Sequence, residues 1–324
     1  MFGCVISTSA SAGICCTAIR LYNSDMVRFE PVPWRKLPAA LMFIAGGDCD
    51  DFAAQSQAQS LMVLARRKPR AVWWAKDGSC TAAAAVISNP GSTGFLFHSP
   101  PDAPGVNNHH LATLIGLLCT DCLDRGLGLV QSLVDPDRQA TIDVLKEAGM
   151  IELAHLAYMR RMLPASNANK LPEVKWIHMG QYHEGELGEL ISRTYIDSQD
   201  CPALANVRKV KDIIAGHKAS GIFRPEGWLI AMIDNSPAGC VLVNDCADLT
   251  ASEVVYMGVH PDFRHRGIGR RLLNKACDIT FTRGIRRIEL AVDLRNSRAM
   301  ALYQSHGFVQ VQTRLALAMI NPVD

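Results

Sequence analysis

The chain has 324 residues, 48% of them hydrophobic and 20% charged, which supplies material for buried cores and excludes a disordered or fibrous protein. At a usual domain size of roughly 100–200 residues, this length predicts two domains. Lys and Arg number 33 against 31 Asp and Glu, a formal charge of +2, so no broad basic face for nucleic acid or an anionic membrane is expected.

Residues 1–25 read as a leader. Met1–Ile19 carry no charge, but Gly3, Ser7, Thr8, Ser9, Ser11, Gly13 and Thr17 interrupt the apolar run and no basic segment precedes it, unlike a signal peptide or a membrane span. Met26 opens a strand-like Met26–Glu30, so the leader is expected to fall outside the true reading frame; a weak export signal is the competing reading. A first domain is expected over 26–162. Ala71–Ala75 and Thr81–Ser88 form a hairpin around Asp77-Gly78, followed by a short strand over Gly94–His98. Leu111, Leu114, Ile115, Leu118 and Cys122 mark a helix face. Then come a strand over Leu127–Val134, a helix over Ala140–Ala148 and a strand over Met150–Met159. Cys119 and Cys122 sit in the apolar helix without a second pair or a histidine, which assigns them to core packing; no metal site is expected. The eleven cysteines, odd in number and scattered, read as reduced thiols in a cytoplasmic protein.

Leu163–Pro172 is rich in Pro, Asn and Ser and has no periodicity, which makes 163–175 a linker. The second domain, 176–324, repeats the order of the first: strand Trp176–Met179, helices around Leu187–Ile191 and Val207–Ile214, a hairpin from Trp228–Ile233 and Gly239–Val243, and a strand Glu253–Val259. A helix follows with Leu272, Leu273, Ala276 and Cys277 on one face, then a strand over Ile288–Val292, a helix over Ser297–Ser305 and a last strand from Phe308. The predicted class is α/β with a mixed sheet. At one constant offset Leu114 aligns with Leu272, Cys119 with Cys277, Arg125 with Arg283, Gly126 with Gly284, Val134 with Val292, Asp135 with Asp293 and Gly149 with Gly307. Both glycine pairs fall at helix-to-strand joints, where a left-handed residue ends a helix. The halves therefore read as an internal repeat.

The segment Glu253–Gly269 carries the chemistry. Gly267 and Gly269 lie between a strand and a helix start, where backbone N–H groups can converge on an anion, and Arg264, Arg266, Arg270 and Arg271 surround them. A Rossmann site needs a third glycine where this chain has Leu272. Arg264-x-x-Gly267-x-Gly269 together with Asn296-x-x-Ala299-x-x-x-Tyr303-x-x-x-Gly307-Phe308 resembles the GCN5-related N-acetyltransferase (GNAT) superfamily. The resemblance implies two tandem GNAT-like domains, the first degenerate because Val106, His109, Leu111, Arg138 and Leu145 stand where the second has Arg264, Gly267, Gly269, Asn296 and Tyr303. It further implies acetyl-CoA as co-substrate, its pantetheine arm along Met257, Gly258 and Val259 and its pyrophosphate on the loop Arg264, His265, Arg266, Gly267, Ile268, Gly269, Arg270. Asn296 corresponds to the residue contacting the arm, unless it only caps a helix. Tyr303 corresponds to the general acid, and Glu253 stands where some members carry a general base; Asp293 and His260 are the other candidates for that role. In this fold the acceptor site is built around the first two helices, which here bring Asp197 and Asp200 to a cationic amine. The implied reaction is direct transfer to a primary amine of a small molecule or peptide. Neither nucleic acid nor membrane is an expected partner, and the two halves are expected to pack together. A non-catalytic acyl-CoA-binding module is the alternative.

Overall fold

The computed structural model describes residues 22–23, 27–46, 70–164, 174–204 and 207–321. The expected leader, apart from Tyr22 and Asn23, and most of the expected linker lie outside the described residues. The described chain forms two compact units. One comprises 22–153 with 315–321, the other 154–314.

The first unit contains β1 (Tyr22–Asn23), β2 (Arg28–Pro31), α1 (Leu37–Ala45), β3 (Arg70–Asp77), β4 (Ser79–Asn89), β5 (Thr93–His98), α2 (Asn108–Asp124), β6 (Leu129–Val134) and α3 (Gln139–Glu147). Helix α1 has no counterpart among the sequence expectations. Its stretch Leu-Pro-Ala-Ala-Leu-Met-Phe-Ile-Ala is apolar all round and so shows no periodic contrast, although Leu37, Ala40, Leu41 and Ile44 are the side chains it buries. Pro38 in its first turn and left-handed Gly46 at its end are the start and stop signals.

The second unit runs from β7 (Ile151–Met162), whose first three residues belong to the first unit, through β8 (Lys175–His178), α4 (Glu184–Thr194), α5 (Val210–Lys218), β9 (Trp228–Ile233), β10 (Ser236–Asp245), β11 (Ser252–Val259), α6 (Ile268–Thr282), β12 (Arg287–Asp293) and α7 (Ser297–Ser305) into the start of β13 (Val309–Ile320), whose residues from Leu315 on belong to the first unit. Asp234 and Asn235, both at positive φ, make the two-residue turn between β9 and β10. β11 and β12 run parallel, whereas β9, β10 and β11 are antiparallel neighbours. The mixed sheet and the α/β class are those predicted.

Strand membership departs from the expected domain limits. Leu156–Met162 pair antiparallel with β12 of the second unit, while Leu315–Ile320, late in the chain, pair with β6 of the first. Each unit thus completes its sheet with a strand drawn from across the middle of the sequence. Leu315 and Leu317 accordingly join the core of Leu114, Leu118, Val130 and Leu145.

Helices cover both faces of the second unit's sheet. Ile268, Leu272, Leu273, Ala276 and Cys277 of α6 pack with Ile288, Leu290 and Val292. On the opposite face Leu187, Leu190 and Ile191 of α4 and Ile213 and Ile214 of α5 meet Trp228, Ile230, Cys240 and Leu242. Covering both faces explains why β10 is buried at consecutive positions instead of alternating. Each such fully buried Leu or Ile contributes about 1.5–3 kcal/mol. Cys119 and Cys122 are buried free thiols, in the first unit's core. Among the described residues no helix is long and apolar enough to cross a membrane.

Candidate active site

The site begins as a defect in strand pairing. β11 and β12 pair only at Ser252–Ile288 and Glu253–Glu289, although β11 continues to Val259 and β12 to Asp293. On the other side of β11 the register shifts: Leu242 pairs with Tyr256 and Val243 with Val254, so Val255 is an extra residue. Such a bulge bends and twists its strand. A cavity of ≈ 250 Å³ fills the gap between the diverging strands, with Val254–Val259 on one wall and Leu290–Val292 on the other. The edge of β11 that faces it can take an extended ligand as an added strand would.

One end of the cavity meets the loop Arg264–Gly269 and the start of α6. His265 and Gly267 both adopt left-handed backbone (φ 62° and 72°). Gly267 caps α6 without a side-chain bond, and Arg271 N–H makes the first intrahelical bond back to its carbonyl. The N–H groups of Ile268, Gly269 and Arg270 precede that bond and form the positive end of the helix. Open space surrounds the position of a Cβ on Gly267, whereas one on Gly269 would stand 3.3 Å from Leu302 Cδ2. This cradle fits a pyrophosphate by its backbone. Of the loop cations, Arg264 is turned elsewhere: it donates to the carbonyls of Thr194 (3.1 Å) and Ile196 (2.6 Å), closing the C-terminal end of α4. Arg266 lies over the Phe263 ring, 5.4 Å from its centroid, and Arg270 is exposed on the first turn of α6.

A further wall comes from α7. Tyr303, 7% exposed, lines the cavity and packs on Phe308. Burial pushes its phenol pKa well up, so the group keeps its proton at neutral pH. Asn296 both lines the cavity and caps α7, its Oδ1 accepting the Ala299 N–H at 3.2 Å. Glu253 stands at the closed end, beside the last β11–β12 pair, and is not among the lining residues. Burial pushes its carboxyl up to about 7, with the like charge of Glu289 adding to the shift and a hydrogen bond from the Ser220 hydroxyl (3.4 Å) opposing it.

The acceptor-side carboxylates divide. Asp197, at φ 53°, lines the cavity on an exposed turn. Asp200 also lines it, but its Oδ1 accepts the N–H of Asp293 at 3.1 Å. Asp293 is fully buried and occupied by Cys201 N–H and by Arg295. His260 accepts the Asp262 N–H at 3.3 Å and is outside the cavity lining.

Sequence reasoning missed Thr194, Tyr256 and Arg298, all on the cavity wall. Thr194 and Tyr256 share a hydroxyl–hydroxyl hydrogen bond, and Tyr256 packs against Tyr195 and His217. Burial holds the Tyr256 phenol well above its ordinary value and pushes His217 down to about 3, so both are neutral. A Cβ on Gly258 would fall 2.6 Å from Thr194 Oγ1 and 2.9 Å from the Tyr256 hydroxyl. That glycine is the sequence trace of this contact: it marks where the end of α4 meets the strand. Among the described residues no group of three or more His, Cys, Asp or Glu is placed to hold a metal ion.

The acetyltransferase (GNAT) family matches residues 194–308. The second unit carries a GNAT acetyltransferase domain. The matched stretch holds both cavity walls, the cradle and Tyr303. Among curated proteins, the chain is similar to mycothiol acetyltransferase of Beutenbergia cavernae, 42% identical over 64 residues, 20% of this chain and 22% of that protein. It is also similar to the [ribosomal protein bS18]-alanine N-acetyltransferase of Salmonella typhimurium, 43% identical over 58 residues, 18% of this chain and 39% of that protein. The chain thus spans less than half the length of these relatives. A solved GCN5-related N-acetyltransferase from Sphaerobacter thermophilus shares the fold with a TM-score of 0.58 at 19% identity, over 93% of this chain and 98% of that one. The GNAT-type fold therefore extends beyond the family-matched domain to both units.

Proposed function

We propose that the GNAT domain transfers an acetyl group from acetyl-CoA to a primary amine of a small molecule or peptide, by direct attack within a ternary complex. The observation that carries this reading is the opened β11–β12 pair, which places a strand edge, a glycine-built helix start and a buried protonated phenol around one cavity. The two relatives are named for different molecules, mycothiol and an alanine of a ribosomal protein, so the acceptor is stated here as a class.

The residues have separable tasks. Met257, Gly258 and Val259 offer backbone groups to an extended arm, and the loop from Arg264 to Arg270 receives the pyrophosphate on its amides. Asn296 fixes the start of α7 and thereby the wall that carries Tyr303. The amine nitrogen forms a bond to the thioester carbonyl carbon, the carbon–sulfur bond breaks, and the Tyr303 phenol gives its proton to the departing sulfur. Glu253, poised near neutrality, takes the proton that the ammonium must lose; its place at the closed end of the cleft requires water to carry that proton. Asp197 faces the incoming cation. Asp200 has one oxygen committed to Asp293, so it contributes charge from a fixed position. A second family residue, Arg264, acts through α4 by holding its carbonyl end against the loop.

We further propose that the first unit is a degenerate module without cofactor binding. Its corresponding helix, α2, starts at Asn107, whose side chain accepts the His110 N–H at 3.0 Å. The helix start is therefore closed by its own cap, where α6 has a bare glycine. Mass spectrometry of a library of amines and N-terminal peptides incubated with acetyl-CoA tests the activity. Acetylated product from the natural chain that disappears with Tyr303→Phe supports it, and CoA binding without product from any acceptor supports the binding module instead.

A further inference from the structure

The paired end of β11 and β12 carries a row of side chains running across the sheet. Glu253 of β11 pairs with Glu289 of β12, and Glu289 pairs in turn with Arg160 of β7. Residues paired in this way point to one face of a sheet, with neighbouring strands about 4.8 Å apart. Ser220, just past α5, bonds Glu253 and so places the row on the face that α4 and α5 cover.

Two carboxylates directly opposite each other, one of them buried, repel. Compensation comes from the outer end of the row. Arg160 Nε donates to Glu289 Oε1 at 2.7 Å, and Arg287 Nε stands 3.1 Å from the same oxygen. The other groups around Glu253 add no cation. Asn244, its partner on β10, donates to the carbonyls of His217 (2.8 Å) and Ser220 (2.6 Å). Burial pushes the Cys246 thiol up to about 12, with the charge of Glu253 adding to the shift, and holds His217 neutral. Asp248, on the turn beyond, accepts the Thr250 hydroxyl at 2.7 Å.

We propose that Glu289 is a positioning residue for the base: clamped by Arg160 and Arg287, it takes up their positive charge and so keeps Glu253 basic enough to accept the proton of the amine. This rests on the reading of Glu253 as the base and adds the residues that tune it. The two ends of the row act with opposite sign. Without the Glu289 charge, the arginines favour the ionised form of Glu253, which then titrates at lower pH and is a weaker base. Without Arg160, Glu289 is less compensated and its charge drives Glu253 the other way. Arg160 lies before the expected linker, so a residue from the first half of the sequence tunes the base of the second.

Carbon-13 NMR titration of the carboxyl carbons in the full chain tests this without an acceptor, the Glu253 signal being assigned by its loss in Glu253→Gln. Glu289→Gln, which keeps an oxygen for Arg160, should lower the Glu253 midpoint by about 0.5–1 pH unit. Arg160→Gln should raise it, and Glu289→Asp should restore it to within about 0.3 of the natural midpoint. A midpoint unmoved by Glu289→Gln, or moved the same way by both glutamine variants, overturns the positioning role and leaves Glu253 standing as base. If Glu289→Gln does not fold, the partly exposed Arg160→Gln decides alone: a rise supports the role and no rise overturns it. The base reading is judged separately, by acetyl transfer to the amine library. Undiminished transfer in Glu253→Gln removes the base, and the role of Glu289 with it.

Discussion

Asp200 and Asp293 are tied across the mouth of the cleft: the Asp293 N–H donates to Asp200 Oδ1 (3.1 Å), and Asp293 Oδ2 accepts the N–H of Cys201, the next residue (3.2 Å). The turn after α4 is thereby pinned to the far end of β12. Asp293→Ala leaves the Cys201 N–H without this acceptor and removes the Asp293–Arg295 ion pair. Since Arg295 is largely exposed, the expected loss is about 1–3 kcal/mol in urea unfolding. Asp200→Asn keeps an oxygen for the Asp293 N–H, so stability should hold within about 0.5 kcal/mol. If the Asp200 charge attracts the amine, the same variant raises acceptor KM while kcat stays; an unchanged KM removes Asp200 from the acceptor site.

Tyr303→Phe removes a hydroxyl from a buried ring and keeps its packing on Phe308. Turnover should fall about 100-fold or more, as for loss of a positioned general acid, with the CoA dissociation constant within about twofold. Parallel steady-state and calorimetric measurements separate these. Full turnover in the variant would show that another donor protonates the sulfur.

The buried Glu253 carboxyl has two opposite pH signatures. As a base it must be ionised, so kcat/KM should rise with pH and level off above about 7. Its effect on stability runs the other way. Burial raises the folded pKa from an ordinary 4.5 to about 7, so the folded chain holds this proton more tightly. The advantage is present in full below the unfolded value and is lost as pH rises through 7, a swing of about 3 kcal/mol at most. Glu253→Gln should flatten that part of the stability profile, exceed the natural chain in stability at pH 8, and lose the rate. A variant with the natural rate profile excludes Glu253 as base.

The element order, the cradle and the wall carrying Tyr303 were legible in the sequence because each is local. Periodicity marks α6 and α7, and the pairs Gly126/Gly284 and Gly149/Gly307, all at positive φ, mark the joints. What stayed hidden depends on residues distant in sequence. The Arg264 guanidinium reads as an anion ligand next to Gly267, yet it binds α4 carbonyls some seventy positions earlier. Tyr256 looks like any strand aromatic until Thr194 is brought to it. The exchange of β7 and the end of β13 left no signal, because alternating apolar strands fit either sheet equally well.

That exchange makes a prediction about the first unit from the second half of the sequence. Leu317 is fully buried in the first unit's core, on the segment that pairs with β6. Leu317→Ala should cost about 2–5 kcal/mol. Native-state hydrogen exchange locates the loss: amides of Leu129–Val134 should lose protection, whereas those of α6 and β11 in the GNAT domain keep more of theirs. Uniform loss in both would mean that the units unfold as one cooperative body. Loss confined to the second unit would place Leu317 in the wrong core. The same logic bears on truncation: ending a chain between 163 and 175 removes β13 from the first unit, and starting one there removes β7, with Arg160, from the second. Neither half is then a faithful copy of its unit, so cofactor binding has to be apportioned by point substitution in the intact chain.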